Sequence, residues 1–156
     1  MPKKDYYNDP TAPLANSLVV AVAAFVANDL GEILMIERSD NGLWAIPGGA
    51  QDIGETTRDA VVREVREETG IDIEVEGIDG IYSDPRHIIE YDNGEVRQEF
   101  SIVFRAKPIN GVTTSSSESR QVGWIPPNQL ESLNIHPSIR LRIAHALQNN
   151  SAPYLS

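Results

Sequence analysis

Hydrophobic and polar positions change period along the chain, and the changes mark its elements. Ser17 to Ala27 is apolar or β-branched almost throughout, as suits a strand covered on both faces. Asn28-Asp29-Leu30-Gly31 then reads as a turn into a second strand at Glu32 to Glu37, so a hairpin is expected. Between Thr57 and Thr69 the period becomes helical, with Val61, Val62 and Val65 on one side to pack on a sheet. Thr56 with Asp59 three residues on is a capping-box spacing, and Gly70 supplies a residue able to take positive φ beyond the helix end. Ile71, Ile73 and Val75 alternate, predicting a strand over 71 to 83. Asp92-Asn93-Gly94 reads as a turn into another strand at Val96 to Ala106. A short strand over Gln121 to Ile125 precedes Pro126-Pro127, and Ile139, Ile143 and Leu147 recur every fourth residue in a final helix near Pro137 to Leu147.

The remaining segments lack periodicity. Residues 1 to 16 and 149 to 156 read as flexible tails around a single domain at 17 to 148. Asn110 to Glu118, rich in Ser and Thr, reads as a mobile loop within that domain, because the remainder after it is too short to carry its own core. No internal repeat is visible.

Composition narrows the function. The 156 residues include no Cys, which removes disulfides, thiolate metal sites and cysteine nucleophiles and is compatible with a reducing, cytoplasmic location. The longest apolar run, Leu18 to Val26, is nine residues, and no apolar segment follows the opening lysines, so neither a membrane span nor a signal peptide is expected. Lys and Arg number 13 against 23 Asp and Glu, a formal charge of -10. That balance repels nucleic acid and anionic membrane, and a phosphate-bearing partner would need a bridging cation. Acidity also serves solubility alone, so the placement of the carboxylates decides.

Their placement is concentrated. On the helix predicted over 57 to 69, Glu64, Glu67 and Glu68 share a stripe beside the valines, at spacings where like charges repel. Such a stripe is either a solvated acidic face or a divalent-cation site, since hard cations take oxygen ligands and keep room for substrate phosphates. Gly48 and Gly49 before the helix allow close backbone approach, and Glu55 lies just before the cap, near enough to face the same metal. Arg63 lies four residues before Glu67 and offsets part of the repulsion. His87, His136 and His145 show no metal-ligand spacing and read as structural or surface groups.

The 23 residues from Gly49 to Ile71 resemble a complete Nudix box, G-x5-E-x7-R-E-U-x-E-E-x-G-U with U apolar. Gly49, Glu55, Arg63, Glu64, Val65, Glu67, Glu68, Gly70 and Ile71 fill its positions, and the flanking Trp44 to Gly49 and Trp124-Ile125-Pro126 are similar to that family's surroundings. The resemblance implies an α/β/α sandwich with a mixed β-sheet between helices, and a hydrolase that cleaves a nucleoside diphosphate linked to another moiety with Mg²⁺ or Mn²⁺. It also implies Glu64 and Glu68 as principal metal ligands, Glu67 and the Gly48 carbonyl as further ligands, and Arg63 as the group that orients the glutamates. For the general base, Glu118 is the candidate, six residues before Trp124. Arg38, Trp44, Gly49 and Tyr82 are candidates to contact substrate, with Phe25 and Tyr91 as further aromatics able to stack a base.

Pro85, 14 residues after Ile71, stands near a proline diagnostic of the family's ADP-ribose pyrophosphatases, and ADP-ribose or a related nucleoside diphosphate sugar is the expected substrate. A nucleoside triphosphate, oxidised or not, is the second reading. A non-catalytic nucleotide sensor and an acidic partner-binding module are the readings from other classes. Many relatives are homodimers, so a dimer is possible by resemblance.

Overall fold

The computed structural model describes residues 3–156; Met1 and Pro2, part of the expected N-terminal tail, lie outside the described residues. In chain order the elements are β1 (Lys3–Tyr7), β2 (Ser17–Leu18), β3 (Ala21–Val26), β4 (Ile33–Arg38), β5 (Trp44–Ala45), β6 (Gly48–Ala50) and α1 (Thr57–Thr69). There follow β7 (Ile71–Tyr82), β8 (His87–Tyr91), β9 (Val96–Gln98), β10 (Ser101–Gly111), β11 (Ser119–Ile125), a 3₁₀ helix at Pro127–Ser132, α2 (Pro137–Gln148) and β12 (Tyr154–Leu155).

A five-stranded sheet in the order β12-β7-β10-β3-β6 is mixed, because β3 runs parallel to β10 and β12 parallel to β7, whereas β7 pairs antiparallel with β10 and β6 with β3. Alternation along β3 builds two layers on it. Val22, Ala24 and Val26 join Ala60, Val61 and Val65 of α1, while Ala23 and Phe25 join Ile143 and Ala146 of α2 on the opposite face. The α/β/α sandwich with a mixed sheet is therefore present. A three-stranded sheet, β11-β4-β5, contributes Leu34 to the α1 layer and Ile33 and Met35 to the α2 layer. Among the described residues no helix is long and apolar enough to cross a membrane.

Three segments depart from their sequence patterns. The turn after β3 forms, with the Asn28 N–H donating to the Glu32 carbonyl (3.0 Å), yet only Ala27 and Ile33 bridge across it. Both edges of β3 are taken by β10 and β6, and β4 pairs with β11 and β5, so the two strands splay into different sheets instead of forming a hairpin. Val96 to Ala106 is two strands, because the chain changes sheets at Glu99 and Phe100. There the Glu99 N–H reaches the His87 carbonyl and the Phe100 carbonyl accepts from the Ala21 N–H, both at 3.0 Å.

The third departure is at the ends. Residues 3 to 7 pair antiparallel with β8 in a four-stranded sheet, β1-β8-β9-β2. Only Tyr6 of this strand is buried, against Ile88 and Val96, so the strand carries almost no apolar alternation to read. At the other end, β12 runs beside Gly80 and Ile81, and the Tyr154 ring stacks on His145 at 4.1 Å.

Candidate active site

Helix α1 places the carboxylates. Its first turn is capped by Thr56, whose Oγ1 accepts from the Asp59 N–H (3.1 Å), and it ends at Gly70 with φ 78°. Between the caps, Ala60, Val61, Glu64, Val65, Glu68 and Thr69 form the buried stripe. Two glutamates are thus inside the protein, 9% and 3% exposed. Val62, expected on the sheet-facing side, is only half-buried, and Glu67 points outward with 59% of its side chain exposed.

Strand β6 lies directly against these acids. The Gly48 N–H donates to Glu68 Oε1 at 2.8 Å. A Cβ on Gly49 would lie 2.5 Å from the Glu64 carboxyl carbon, so any side chain there would push that carboxylate out of its place. The third acid comes from the Ser-rich segment. The Ser119 hydroxyl donates to the Glu68 carbonyl (2.7 Å) and the Glu118 carbonyl accepts from the Ser39 N–H (3.1 Å), which ties that segment to α1 and to the end of β4. As a result one carboxylate oxygen each from Glu64, Glu68 and Glu118 lie within 4.8 Å of one another.

The charges in this trio are uncompensated in part. Burial pushes the Glu68 carboxyl up to about 8; the Gly48 N–H opposes the shift and the Glu64 charge adds to it. Burial likewise raises Glu64, against a hydrogen bond from Arg63 Nη1 (3.0 Å). Arg63 is otherwise engaged by Glu55, with Nε to Oε2 at 2.6 Å and Nη2 to Oε1 at 2.8 Å, which holds the Glu55 carboxyl down at about 2. It also reaches Glu67 Oε2 at 3.2 Å. Acceptor-only oxygens that burial and mutual repulsion disfavour as anions, beside a backbone strand without side chains, fit a divalent cation. Glu64, Glu68 and Glu118 are close enough together that some or all of them could hold it. Glu55 and Glu67 sit outside that trio, on the guanidinium.

The candidates for substrate contact divide. A cavity of about 280 Å³ opens beside the trio, and Gly48, Gly49, Arg38 and Trp44 line it. Arg38 also forms a two-pronged pair with Asp40, at 2.9 and 2.7 Å. Tyr91 lines the same cavity, whereas Phe25 is core. Tyr82 is not on this wall. It is buried, its hydroxyl 2.7 Å from His145 Nδ1, and it borders a second, smaller cavity.

The far wall of the main cavity was not evident from spacing. Asp5 on β1 meets His87 on β8 (Oδ1 to Nε2, 3.1 Å) and His136 at the α2 N-cap (Oδ2 to Nε2, 3.5 Å). The Ser138 N–H donates to His136 Nδ1 (3.1 Å), so the imidazole proton sits on Nε2 and faces Asp5. The sequence spacing of the histidines hid this convergence: one ligand atom each from Asp5, His87 and His136 lie within 4.8 Å of one another, a grouping that could hold a metal ion. Arg142 is buried and also lines the cavity. The one sequence signal for it is a charge on the α2 stripe marked by Ile139 and Ile143.

Comparison with known proteins identifies the family and the fold. A family model described as NUDIX domain matches residues 17–146. A MutT-like protein of Streptomyces ambofaciens is 39% identical over 122 residues, covering 78% of this chain and 71% of that protein. An ADP-ribose pyrophosphatase of Methanocaldococcus jannaschii is 35% identical over 117 residues, covering 73% of this chain and 65% of that protein. The crystal structure of an ADP-ribose pyrophosphatase from Streptococcus suis superposes with a TM-score of 0.69 at 21% identity, over 88% of this chain and 98% of the other, a likeness of fold.

Proposed function

The chain belongs to the Nudix family of hydrolases, and on that premise we propose that it cleaves the pyrophosphate link of a nucleoside diphosphate joined to a further group. ADP-ribose or a related nucleoside diphosphate sugar is the substrate in this reading, and Mg²⁺ or Mn²⁺ the cofactor. The observation that carries it is the convergence of Glu64, Glu68 and Glu118 within 4.8 Å beside a cavity floored by Gly48 and Gly49. The name of the Methanocaldococcus relative supports the choice of substrate.

In this reading Glu64 and Glu68 hold the cation and Arg63 positions them, its fork on Glu55 fixing the guanidinium against α1. A divalent cation there supplies the positive charge that joins carboxylate to diphosphate and offsets charge developing at phosphorus. Glu118 is the exposed member of the trio and accepts the proton of the attacking water. Arg38 and Trp44 meet the phosphates and the base.

The test is product analysis with Mg²⁺ present, on ADP-ribose, NADH, diadenosine polyphosphates and deoxynucleoside triphosphates. AMP and ribose 5-phosphate from ADP-ribose are expected. Glu68→Gln should abolish them, and Glu118→Gln should slow turnover by about 10²-fold or more, as loss of a general base does. Glu118→Gln turnover within a fewfold of wild type removes that residue as base. Diphosphate released from a triphosphate, with no AMP from ADP-ribose, replaces the sugar reading by the triphosphate one.

A further inference from the structure

Arg142 is only 6% exposed, yet no side chain or backbone acceptor hydrogen-bonds it among the described residues. The nearest acid, Glu99, keeps its Oε2 3.9 Å from Nη2, beyond hydrogen-bond reach, and the buried Nε has no partner. The guanidinium is nevertheless held, because it lies over the Tyr82 ring at 5.1 Å from the centroid. Burial pushes its pKa down and the Glu99 charge opposes the shift only in part, although a guanidinium remains charged at any ordinary pH. Other arginines on the same cavity are supplied. Arg38 has its fork on Asp40, and Arg97 reaches both oxygens of Glu95 at 3.0 Å.

A buried cation is retained against its desolvation cost when an anion completes it. We propose that Arg142 anchors an anion subsite in the main cavity, taking a phosphate or carboxylate carried on the group beyond the diphosphate, which among nucleoside diphosphate sugars selects an acidic sugar such as a uronate over ADP-ribose, whose terminal ribose is neutral. Gly48 and Gly49 line the same cavity beside the acidic trio, where the diphosphate sits in the proposed function, and Arg142 enters from α2 in the opposite layer, so it is assigned to the group beyond the diphosphate. Only that assignment to a substrate rests on the hydrolase reading; the anion subsite itself does not.

The first experiment is made in EDTA, where no turnover occurs. Inorganic phosphate is titrated into the full chain while the arginine Nε–Hε signals are followed by NMR. A saturable shift of one signal, absent in Arg142→Met, is expected, with binding at least tenfold weaker in the variant and several-fold tighter in Glu99→Gln. Exchange for a long apolar side chain should leave the melting temperature level or higher. No saturable binding by wild type, or binding unchanged in Arg142→Met, overturns the subsite; so does a variant that melts lower, with Glu99→Gln lowered equally, since Arg142 would then be one half of a structural ion pair.

A second arm separates the sources of the anion. With Mg²⁺, Arg142→Met should raise KM at least tenfold more for UDP-glucuronate than for UDP-glucose. Loss of phosphate inhibition without that contrast assigns the subsite to free phosphate. Absence of turnover on both substrates, with phosphate binding intact in EDTA, removes the acidic sugar as the source of the anion and leaves the subsite standing.

Discussion

Burial lifts the Glu68 carboxyl to about 8, whereas the hydrogen bonds from Arg63 hold Glu55 near 2. Both start from an ordinary value of 4.5, so the two act on stability with opposite sign. Between 4.5 and about 8 the folded chain keeps a proton on Glu68 that the unfolded chain has lost, and stability falls as pH rises through that window. Below 4.5 the unfolded chain takes up a proton at Glu55 that the folded chain refuses until about 2, and stability falls as pH drops. Glu64, raised by burial, adds to the alkaline loss. A cation competes with the proton for these oxygens and removes that loss. In melting curves from pH 4.5 to 8.5, the gain from Mg²⁺ over EDTA should therefore grow with pH; a gain constant across the range refutes the placement of the cation on Glu64 and Glu68. The pair was legible because i and i+4 on one helix is a local spacing. Arg142 was legible only as a charge on an apolar stripe, since Glu99 and Tyr82, which define its surroundings, are far off in sequence.

Helix α1 has the expected boundaries, Thr57 to Thr69, because both of its signals are local: the Thr56 hydroxyl over the Asp59 N–H and the left-handed Gly70. Gly70 does a second job. Its missing Cβ would lie 2.6 Å from the Val112 carbonyl oxygen, and the Thr114 N–H donates to the Thr69 carbonyl at 2.8 Å, so the Ser-rich segment is pinned where the helix ends. Gly54 is also left-handed, at φ 94°, but has nothing within 4 Å of its Cβ position. Urea unfolding should separate the two effects. Gly54→Ala should cost about 1–2 kcal/mol for the left-handed backbone alone, and Gly70→Ala more than that, with loss of turnover as Glu118 shifts. Equal costs would mean that the segment after β10 yields freely. Elements fixed by distant partners were not legible in this way. Ser17 to Ala27 and Glu32 to Glu37 look like a hairpin, and Val96 to Ala106 like one strand, because which sheet each joins depends on β10, β11 and β8.

At the scale of the molecule, the chain carries a formal charge of -10, and the sandwich supplies the frame on which α1 offers its carboxylates. The small sheet β1-β8-β9-β2 is the other contributor. It lies outside both sandwich cores, whose buried members include no residue of β1. Yet β1 gives Lys3 and Asp5 to the cavity wall, and Asp5 bridges His87 and His136. The strand was invisible in the sequence because Tyr6 is its one buried residue, and what it builds is a cavity wall rather than core. Removing residues 1 to 9 should accordingly leave the sandwich folded by circular dichroism, with a melting temperature lowered by the loss of Tyr6 packing on Ile88 and Val96. The trio Glu64, Glu68 and Glu118 is untouched by this truncation, so kcat should stay within several-fold of wild type while KM rises by about tenfold or more. A fall in kcat with KM unchanged would instead show that β1 supports the catalytic acids and not the cavity. Restoring residues 1 to 9 with Asp5→Asn separates strand from side chain: KM recovers if pairing with β8 suffices, and stays high if the carboxylate between the two histidines shapes the wall.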